Sequence, residues 1–355
     1  MKQIEFFDRE KEMEEIKNIL DTEPTMITFI YGPINSGKTE LINYLSRGLS
    51  NEYVGFYVNL RGRFLSSYKD FVRALFKIEK EKKDYKEILK AISTASLKTL
   101  KFAGIPITED VLDLFFKDKT YEDVFEFLEE YFDKVSENRI PVLVLDELQK
   151  IGEVKVDGML IYELFNFFVR LTKERHLVHV FAVSSDSSFI ERVYSEAMLQ
   201  GRCEYLLVDD FDYARTMAFL DKYNFSEEEK EITWNYCGGK PVYLIGLIKA
   251  RDRVKKAKEY FKIRMGQIEE LIYSLKAFGD EVKIKEKLYK IKFEEVVKIL
   301  SEFKDKESIP YRYITPEIYY LVKNNVFFVN PIEKRIKNQS RLDLLAIREI
   351  LKSIE

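Results

Sequence analysis

The feature that most constrains this chain is a short apolar run followed by a glycine-containing loop. Ile27 to Tyr31 predict a buried strand, and residues 32–39 match the pattern G-x-x-x-x-G-K-[ST] at every fixed position. Residues 40–45 then place apolar side chains at helical spacing. A strand before this loop and a helix after it are the context in which the pattern is a phosphate-binding loop (P-loop). The segment therefore predicts that the chain binds a nucleoside triphosphate.

Each fixed position of the loop has a chemical role. Gly32 and Gly37 allow a tight turn, so that successive N–H groups converge on a phosphate without a Cβ in the way. Lys38 supplies positive charge to the β- and γ-phosphates, and the Thr39 hydroxyl is a ligand for Mg²⁺. The helix N-terminus adds unpaired N–H groups and the positive end of its dipole. The predicted nucleotide-binding residues of this segment are Gly32, Pro33, Ile34, Asn35, Ser36, Gly37, Lys38, Thr39 and Glu40.

A second apolar run ends in two acids. Residues 140–145 read as a strand, and Asp146 and Glu147 follow it directly. Asp146, at the carboxyl end of the strand, is placed to hold Mg²⁺ directly or through water. Glu147 is placed to orient or deprotonate the water that attacks the γ-phosphate. The predicted metal ligands are thus Thr39 and Asp146, and the predicted catalytic residues include Glu147 and Lys38.

Composition narrows the class of protein. A chain of 355 residues with 46% hydrophobic and 34% charged residues is long enough for two or three globular domains. Its apolar runs are shorter than the roughly 20 residues that span a bilayer, and its N-terminus has no signal-peptide pattern. Two cysteines make no disulfide framework, so we expect a cytoplasmic protein that does not bind membranes. His176 and His179 lack the partners of a zinc site, and we expect structural roles for them.

The rest of the first 250 residues predicts an α/β core and a helical continuation. Residues 64–138 read as a charged helical insertion without strands, in which residues 104–106 form a turn and Ile88, Ile92 and Leu97 partly mark a helix. Further strands are predicted at 53–60, 177–183 and 205–208, and helices at 8–20, 159–174 and within 211–249.

The tail differs in charge from the rest of the chain. Residues 250–355 carry an excess of seven basic residues, whereas the remainder carries an excess of ten acidic ones. Helices are predicted at 267–278, 284–303 and 315–323, then a strand, turn and strand at 326–337, and a final helix capped by Ser340. Helix, helix and β-hairpin is the plan of a winged helix. A basic hairpin of this kind would present Lys334, Arg335 and Lys337 to duplex DNA, although a solvated basic surface gives the same count.

Together these motifs resemble the archaeal ATPase family of the AAA+/STAND group of P-loop NTPases. The resemblance covers most of the chain, and no single element besides the P-loop and the Asp-Glu pair is highly specific. The residues that carry it are Phe7 to Glu10, the P-loop, Leu145 to Glu147, Ser184 and Ser185, Gly201 and Arg202, and Gly238 to Pro241.

The resemblance implies an α/β fold with a parallel ASCE-like sheet flanked by helices, in which the 178–183 strand separates the P-loop strand from the Asp146 strand. It implies an ATPase core at 1–210 with the insertion at about 64–138, a helical lid at 211–264 and a winged-helix domain at 265–355. It also places Asp8, Arg9 and Pro241 near the adenine of ATP or ADP. Arg202 is implied as a γ-phosphate sensor or arginine finger, and a sensor-2 arginine is missing from the lid.

Three functions are consistent with this sequence. The leading hypothesis is a slow, Mg²⁺-dependent ATPase that acts as a molecular switch, whose winged helix reports the nucleotide state to an unknown protein partner. A second hypothesis is an ATP-regulated module that binds duplex DNA through the winged helix. A third is an interaction protein that keeps ADP or ATP bound and scarcely hydrolyses it.

Overall fold

The computed structural model describes residues 4–79, 84–94, 100–116, 121–151, 160–195, 197–284 and 287–354. Leu97, predicted to mark a helix, lies outside these residues. In the first part of the chain the elements are α1 (Glu10–Leu20), β1 (Ile27–Tyr31), α2 (Lys38–Gly48), β2 (Tyr53–Asn59), α3 (Tyr68–Leu75), β3 (Phe76–Ile78), α4 (Tyr85–Thr94), β4 (Leu100–Ala103), β5 (Ile105–Ile107), α5 (Glu109–Phe115), α6 (Tyr121–Ser136), β6 (Ile140–Asp146), α7 (Leu160–Val169), β7 (His179–Ser184), α8 (Ser187–Tyr194) and β8 (Cys203–Leu207). A π-helical turn, Arg170–Glu174, continues α7.

The second part of the chain is helical at first and then mixed. Its elements are α9 (Tyr213–Lys222), α10 (Glu227–Cys237), α11 (Pro241–Ile248), α12 (Arg253–Phe278), β9 (Glu281–Ile284), β10 (Lys287–Lys290), α13 (Phe293–Ser301), β11 (Ser308–Pro310), α14 (Pro316–Lys323), β12 (Phe327–Asn330), β13 (Arg335–Asn338) and α15 (Arg341–Ile354).

A six-stranded sheet, in which every neighbouring pair is parallel, organises the first part of the chain. Its strand order is β4-β2-β6-β7-β1-β8, so β7 separates β1 from β6 as predicted. The α/β P-loop fold expected from the sequence is confirmed. Because parallel strands end at one edge, the P-loop after Tyr31, the acid Asp146 and the hydroxyl of Ser184 meet there.

The strands are buried on both faces, as their uninterrupted apolar runs require. On one face α1 and α2 cover the sheet with Ile16, Leu41 and Ile42. On the other face α6 and α7 cover it with aromatic side chains such as Phe132 and Phe165. This layering covers both faces of the sheet and leaves the loops at the strand ends to form the site.

The insertion at 64–138 contains strands as well as helices, so the expectation of a strand-free segment is wrong. β4 adds to the edge of the sheet beside β2, and β5 pairs with β3 in a separate two-stranded sheet. Residues 105 and 106, expected to form a turn, belong to β5. These strands contain three or four residues each, and their conformation depends on pairing with distant segments rather than on a local pattern.

The helix α12 joins the lid helices α9–α11 to the C-terminal elements. Ala257 and Tyr260, in its first half, pack against the lid core, whereas Ile268 and Ile272 belong to the C-terminal core. Its 26 residues span the predicted domain boundary at 264/265, which therefore lies inside a continuous helix.

The C-terminal elements follow the predicted order from residue 315 onward. Thr315 caps α14 by accepting from the backbone N–H of Ile318, Pro316 follows at the first helical position, and Ser340 caps α15. Strands β11, β13 and β12 form an antiparallel sheet in that order. The helix predicted at 284–303 is wrong in its first half, where β10 pairs with β9 in a hairpin. Whether these elements function as a winged helix stays a prediction.

In the described ranges, no helix has the length and apolar character that crossing a membrane requires.

Candidate nucleotide-binding site

The P-loop connects the end of β1 to the start of α2. A Cβ at Gly32 would lie 2.1 Å from the Val208 carbonyl oxygen, so only glycine fits beside the end of β8. Gly37 has a φ of 98°, in the region that glycine adopts readily, and directly precedes α2. The loop therefore aims its backbone N–H groups and a helix N-terminus at one point, which suits a phosphate.

Lys38 is buried, although a lysine on a phosphate-binding loop could also extend into solvent. Only 4% of the residue is exposed, and its Nζ donates to the carbonyl oxygens of Gly32 at 3.0 Å and Pro33 at 2.7 Å. Burial lowers the pKa of Lys38 to about 7, and the nearby cation Lys240 lowers it further, while Asp210, Glu147 and Asp146 oppose the shift. The side chain is thus folded back onto its own loop, in reach of a phosphate that would replace these carbonyl partners.

Asp146 and Thr39 lie together, as the motif predicts. The Thr39 hydroxyl donates to Asp146 Oδ2 at 3.1 Å, and the Tyr57 hydroxyl donates to the same oxygen at 2.6 Å. A carboxylate and a hydroxyl at this spacing are the hard oxygen donors that Mg²⁺ uses beside a nucleotide. These residues therefore fit the ion. Tyr57 is a partner that the sequence did not reveal, on the strand next to β6.

Glu147 has an unusual backbone and two side-chain partners. Its φ of 64° lies in the left-handed region, which is uncommon outside glycine and marks a sharp bend after β6. Arg61 donates to Oε1 from Nε at 3.2 Å and Nη2 at 2.5 Å, and Gln149 donates to Oε2 at 2.7 Å. The hydroxyl of Ser184, at the end of β7, in turn donates to Gln149 Oε1 at 2.8 Å. Ser184 therefore contacts the site through Gln149. Both oxygens of the carboxylate are engaged.

The segment Phe7 to Glu10 contacts the P-loop through Arg9. Arg9 Nη2 donates to the carbonyl oxygens of Ser36 and Asp209, both at 2.7 Å, and its guanidinium lies 4.8 Å from the ring centre of Phe211. Asp8 forms an ion pair with Arg215 at 3.0 Å and does not cap α1, whose N-cap is Arg9. The role of Asp8 and Arg9 near an adenine stays a prediction.

The lid contacts the P-loop through Lys240. Its Nζ donates to the Ile34 carbonyl oxygen at 2.8 Å and to Asp210 at 3.1 Å, and the residue is 2% exposed. Lys240 is the third residue of the segment Gly238 to Pro241, which carried part of the family resemblance. The resemblance did not predict a role for Lys240 itself. Pro241 is the first residue of α11, and its predicted contact with adenine is untested.

The C-terminal elements complete a cavity of about 570 Å³ at the carboxyl edge of the sheet. The cavity is lined by Ile34 and Glu147 of the core, and by Lys323 and Gln339 of the C-terminal part. Gln339 Oε1 accepts a hydrogen bond from the backbone N–H of Ile34 at 3.0 Å. Sequence reasoning missed Gln339 because no motif connects it with the P-loop.

Arg202 lies at the amino-terminal ends of the strands, whereas the P-loop lies at their carboxyl ends. Cys203 begins β8 opposite Ile27, the first residue of β1, so Arg202 is separated from the P-loop by the length of a five-residue strand, roughly 16 Å. Its guanidinium donates to the Met198 carbonyl oxygen at 3.1 Å. The expectation that Arg202 senses the γ-phosphate of its own chain is inconsistent with this placement. His179 begins β7 on the same side, and burial lowers its pKa to about 4.

Two of the three basic residues of the β12–β13 hairpin form ion pairs with the nucleotide-binding part. Lys337 pairs with Asp209, and Lys334 pairs with Glu191 at 3.4 Å. Arg335 donates to the Ser308 hydroxyl at 2.9 Å and 2.7 Å. Lys334 and Lys337 thus neutralise acids of the nucleotide-binding part, whereas Arg335 is exposed, and contact of this hairpin with a DNA duplex stays a prediction.

A parallel sheet with a glycine-containing loop at the end of β1, and an Asp-Glu pair two strands away, defines a P-loop NTPase. Residues 6–247 match the family model described as an ATPase domain predominantly from Archaea, and residues 254–351 match the C-terminal domain of MJ1010-like ATP-binding proteins. The chain belongs to this archaeal ATPase family and is an ATP-binding protein.

Full-length relatives agree with this assignment. The chain is 46% identical to the uncharacterized ATP-binding protein MJ1659 of Methanocaldococcus jannaschii, with 99% of each chain covered. It is 45% identical to the uncharacterized ATP-binding protein PYRAB09480 of Pyrococcus abyssi, with 99% of this chain and all of the relative covered. Among solved structures, the Walker-type ATPase PABY2304 of Pyrococcus abyssi shares the fold, with a TM-score of 0.63, 16% identity and coverage of 97% of this chain and 96% of that one.

Proposed function

We propose that this protein is a Mg²⁺-dependent ATPase that acts as a nucleotide-controlled switch of the AAA+/STAND type. The observation that carries the proposal is the composition of the cavity next to the P-loop. Its lining includes Ile34 of the P-loop, the acid Glu147, and residues of the C-terminal part such as Lys323 and Gln339. A change at the terminal phosphate of a nucleotide would therefore act directly on the C-terminal elements.

The hydrolytic step uses residues that the fold brings to one edge. Thr39 and Asp146 would hold Mg²⁺, which supplies charge neutralisation at the phosphates. Glu147 accepts a proton from the attacking water while the oxygen of that water bonds to the γ-phosphorus. The bond between that phosphorus and the bridging oxygen breaks, and its electron pair leaves with ADP. Lys38, protonated, stabilises the charge that develops on the phosphate oxygens.

The hydrogen bonds of Glu147 and Lys38 support slow turnover. Glu147 accepts from Arg61 and Gln149, and Lys38 donates to carbonyl oxygens of its own loop. Catalysis would weaken or exchange these bonds, which fits a slow, switch-like ATPase better than a fast motor.

The partner that reads the switch is proposed to be a protein. If the C-terminal elements work as a winged helix, two of the three basic residues on its hairpin are engaged within the chain, since Lys334 and Lys337 pair with Glu191 and Asp209. Movement of this hairpin away from the core would expose both sets of charges together. This coupling supports a nucleotide-dependent protein contact more than constitutive binding to a duplex.

The decisive experiment is Glu147→Gln. The variant retains the P-loop and the Mg²⁺ ligands, so ATP affinity measured by calorimetry should remain while kcat falls by roughly 100-fold or more, the usual contribution of a general base. Glu129→Gln is a matched control, because Glu129 is a buried acid held by Arg170 and Arg175 outside the site. It should retain turnover.

Two results would contradict the proposal in different ways. Wild-type turnover in Glu147→Gln would remove Glu147 from the mechanism. Absence of ATP hydrolysis by the wild-type protein, with nucleotide still bound, would favour an interaction protein that only retains ADP or ATP.

A further inference from the structure

Lys240 is a buried lid residue that bonds to the backbone of the P-loop. It directly precedes α11, is 2% exposed, and its Nζ donates to the Ile34 carbonyl oxygen at 2.8 Å. We propose that Lys240 is a positioning residue that fixes the orientation of the peptide unit between Ile34 and Asn35, so that docking of the lid sets the affinity for nucleotide. This inference deepens the proposed function, because it rests on the same nucleotide site and names the lid as its regulator.

The bonded carbonyl belongs to the central peptide unit of a β-turn. Residues 33–36 form this turn, in which the Ser36 N–H donates to the Pro33 carbonyl oxygen at 3.3 Å. Asn35, the third residue, has a φ of 60°, and a positive φ at this position is typical of a type II turn and not of a type I turn. The central peptide unit points in opposite directions in these two turn types. Lys240 therefore bonds to the group whose direction distinguishes them.

Asn35 adopts this conformation at an energetic cost. A left-handed backbone is unfavourable for residues other than glycine, although asparagine tolerates it better than most. Reversal of the peptide unit would relieve this cost, but it would turn the Ile34 carbonyl oxygen away from Lys240. Of the two hydrogen bonds that the Lys240 ammonium group makes here, the one to Asp210 would remain. A docked lid thus favours the type II geometry, and an undocked lid releases it.

The turn leads directly into the phosphate-binding end of the loop. Gly37 follows Ser36, and α2 begins at Lys38, whose ammonium group donates to the Gly32 and Pro33 carbonyl oxygens. Pro33 is also the first residue of the turn, so the turn geometry and the position of this ammonium group are linked. Phosphate binding requires that the N–H groups of the loop converge on one anion. The effect should be equal for ADP and ATP, since both contain the α- and β-phosphates that these N–H groups surround.

Lys240→Met tests the contact directly. It keeps the apolar stem and removes the donor, so the affinities for ADP and for the non-hydrolysable analogue adenylyl imidodiphosphate should both fall about fivefold, the order of one net hydrogen bond. Both affinities are measured by calorimetry on the full-length protein with Mg²⁺. Lys230→Met is the matched control, because this lid lysine pairs with Asp221 and Glu227 and does not contact the P-loop. It should leave both affinities unchanged.

Substitutions at Asn35 separate the geometry of the turn from the stability of the lid. Asn35→Gly in the Lys240→Met background should restore most of the lost affinity, because glycine adopts a positive φ readily. Asn35→Ala in the otherwise unchanged protein should lower affinity about fivefold, since alanine disfavours this φ. Both changes remove the same side-chain amide, so the difference between them reports on the backbone. The fluorescence of Trp234, on α10 of the lid, checks that each variant is folded.

The outcomes separate this inference from the proposed function. Unchanged affinity in Lys240→Met overturns the inference, and so does a loss that Asn35→Gly fails to restore, because that loss would come from the lid itself. Absence of ATP hydrolysis by the wild-type protein, with the expected loss and recovery of affinity, contradicts the ATPase proposal and supports the inference. If Lys240→Met fails to fold, the double variant with Asp210→Asn, which also removes the carboxylate left without its lysine, takes its place in each comparison.

Discussion

Lys240 provides a test of how the lid is held against the P-loop. Its ammonium group bonds to both the Asp210 carboxylate and the Ile34 carbonyl oxygen, and its side chain is 3% exposed. Burial raises the pKa of Asp210, and Lys240 opposes that shift. Lys240→Met retains the apolar stem and removes the charge, so Asp210 would lose its nearest cation in a poorly solvated position.

The expected cost is about 3 kcal/mol in the free energy of unfolding of the lid. Breaking a buried ion pair from one side costs about 3–5 kcal/mol. The lower end applies because the Asp210 side chain keeps 20% of its exposure and retains some contact with water. Adding Asp210→Asn removes the stranded charge and should recover about 2 kcal/mol, a coupling typical of residues in direct contact.

The sequence contains a single tryptophan, Trp234, and it lies on α10 in the lid. Its fluorescence during urea unfolding therefore reports on this part of the molecule. Lys230→Met is the matched control, since Lys230 pairs with the more exposed Asp221 and Glu227, and this substitution should cost clearly less than Lys240→Met. A cost for Lys240→Met as small as that of the control, or no recovery in the double variant, would refute the reasoning.

Two further predictions concern charges at the site. Burial lowers the pKa of Lys38 to about 7, and a bound phosphate favours the charged form, so ATP affinity should be insensitive to this group below pH 7 and fall by up to about tenfold per unit above it. Lys38→Ala should bind ATP weakly at every pH, and a wild-type affinity that rises between pH 7 and 9 in calorimetry would contradict the assignment. Arg61→Met should raise kcat about threefold, because it frees Glu147 Oε1 from an ion pair whose arginine is 62% exposed. A decrease in kcat in a steady-state phosphate-release assay would show instead that Arg61 assists the reaction.

The sequence predicted the parts of the fold that have strong local patterns. The strand and loop around Gly32 to Thr39, the strand that ends at Asp146 and the intervening strand β7 all consist of uninterrupted apolar runs or fixed motif positions. The insertion was less predictable because β4 contains only four residues and is stabilised by pairing with β2. The hairpin β9–β10 was missed although Val282 and Ile284 alternate with charged residues, since the same residues also suit a helix.

The site was predictable only where chemistry is linked to a motif. Thr39 and Asp146 meet as expected, because each lies at a fixed end of a parallel strand or loop. Arg202 was misplaced because a Gly-Arg pair does not reveal which edge of the sheet it occupies. Lys240 and Gln339 reach the same residue, Ile34, from sequence separations of 206 and 305, and no local pattern encodes such contacts.

The helix α12 acts as a lever between lid and C-terminal elements. A helix of 26 residues is about 39 Å long, so a rotation of about 10° at its lid end displaces the other end by roughly 7 Å. That distance exceeds the length of any hydrogen bond, including the one between Gln339 and Ile34. A motion of the lid would therefore be carried through α12 to the C-terminal elements that contact the P-loop. At the far end the lever carries Phe278, which is 88% exposed, together with the β9–β10 hairpin, so these residues would travel furthest.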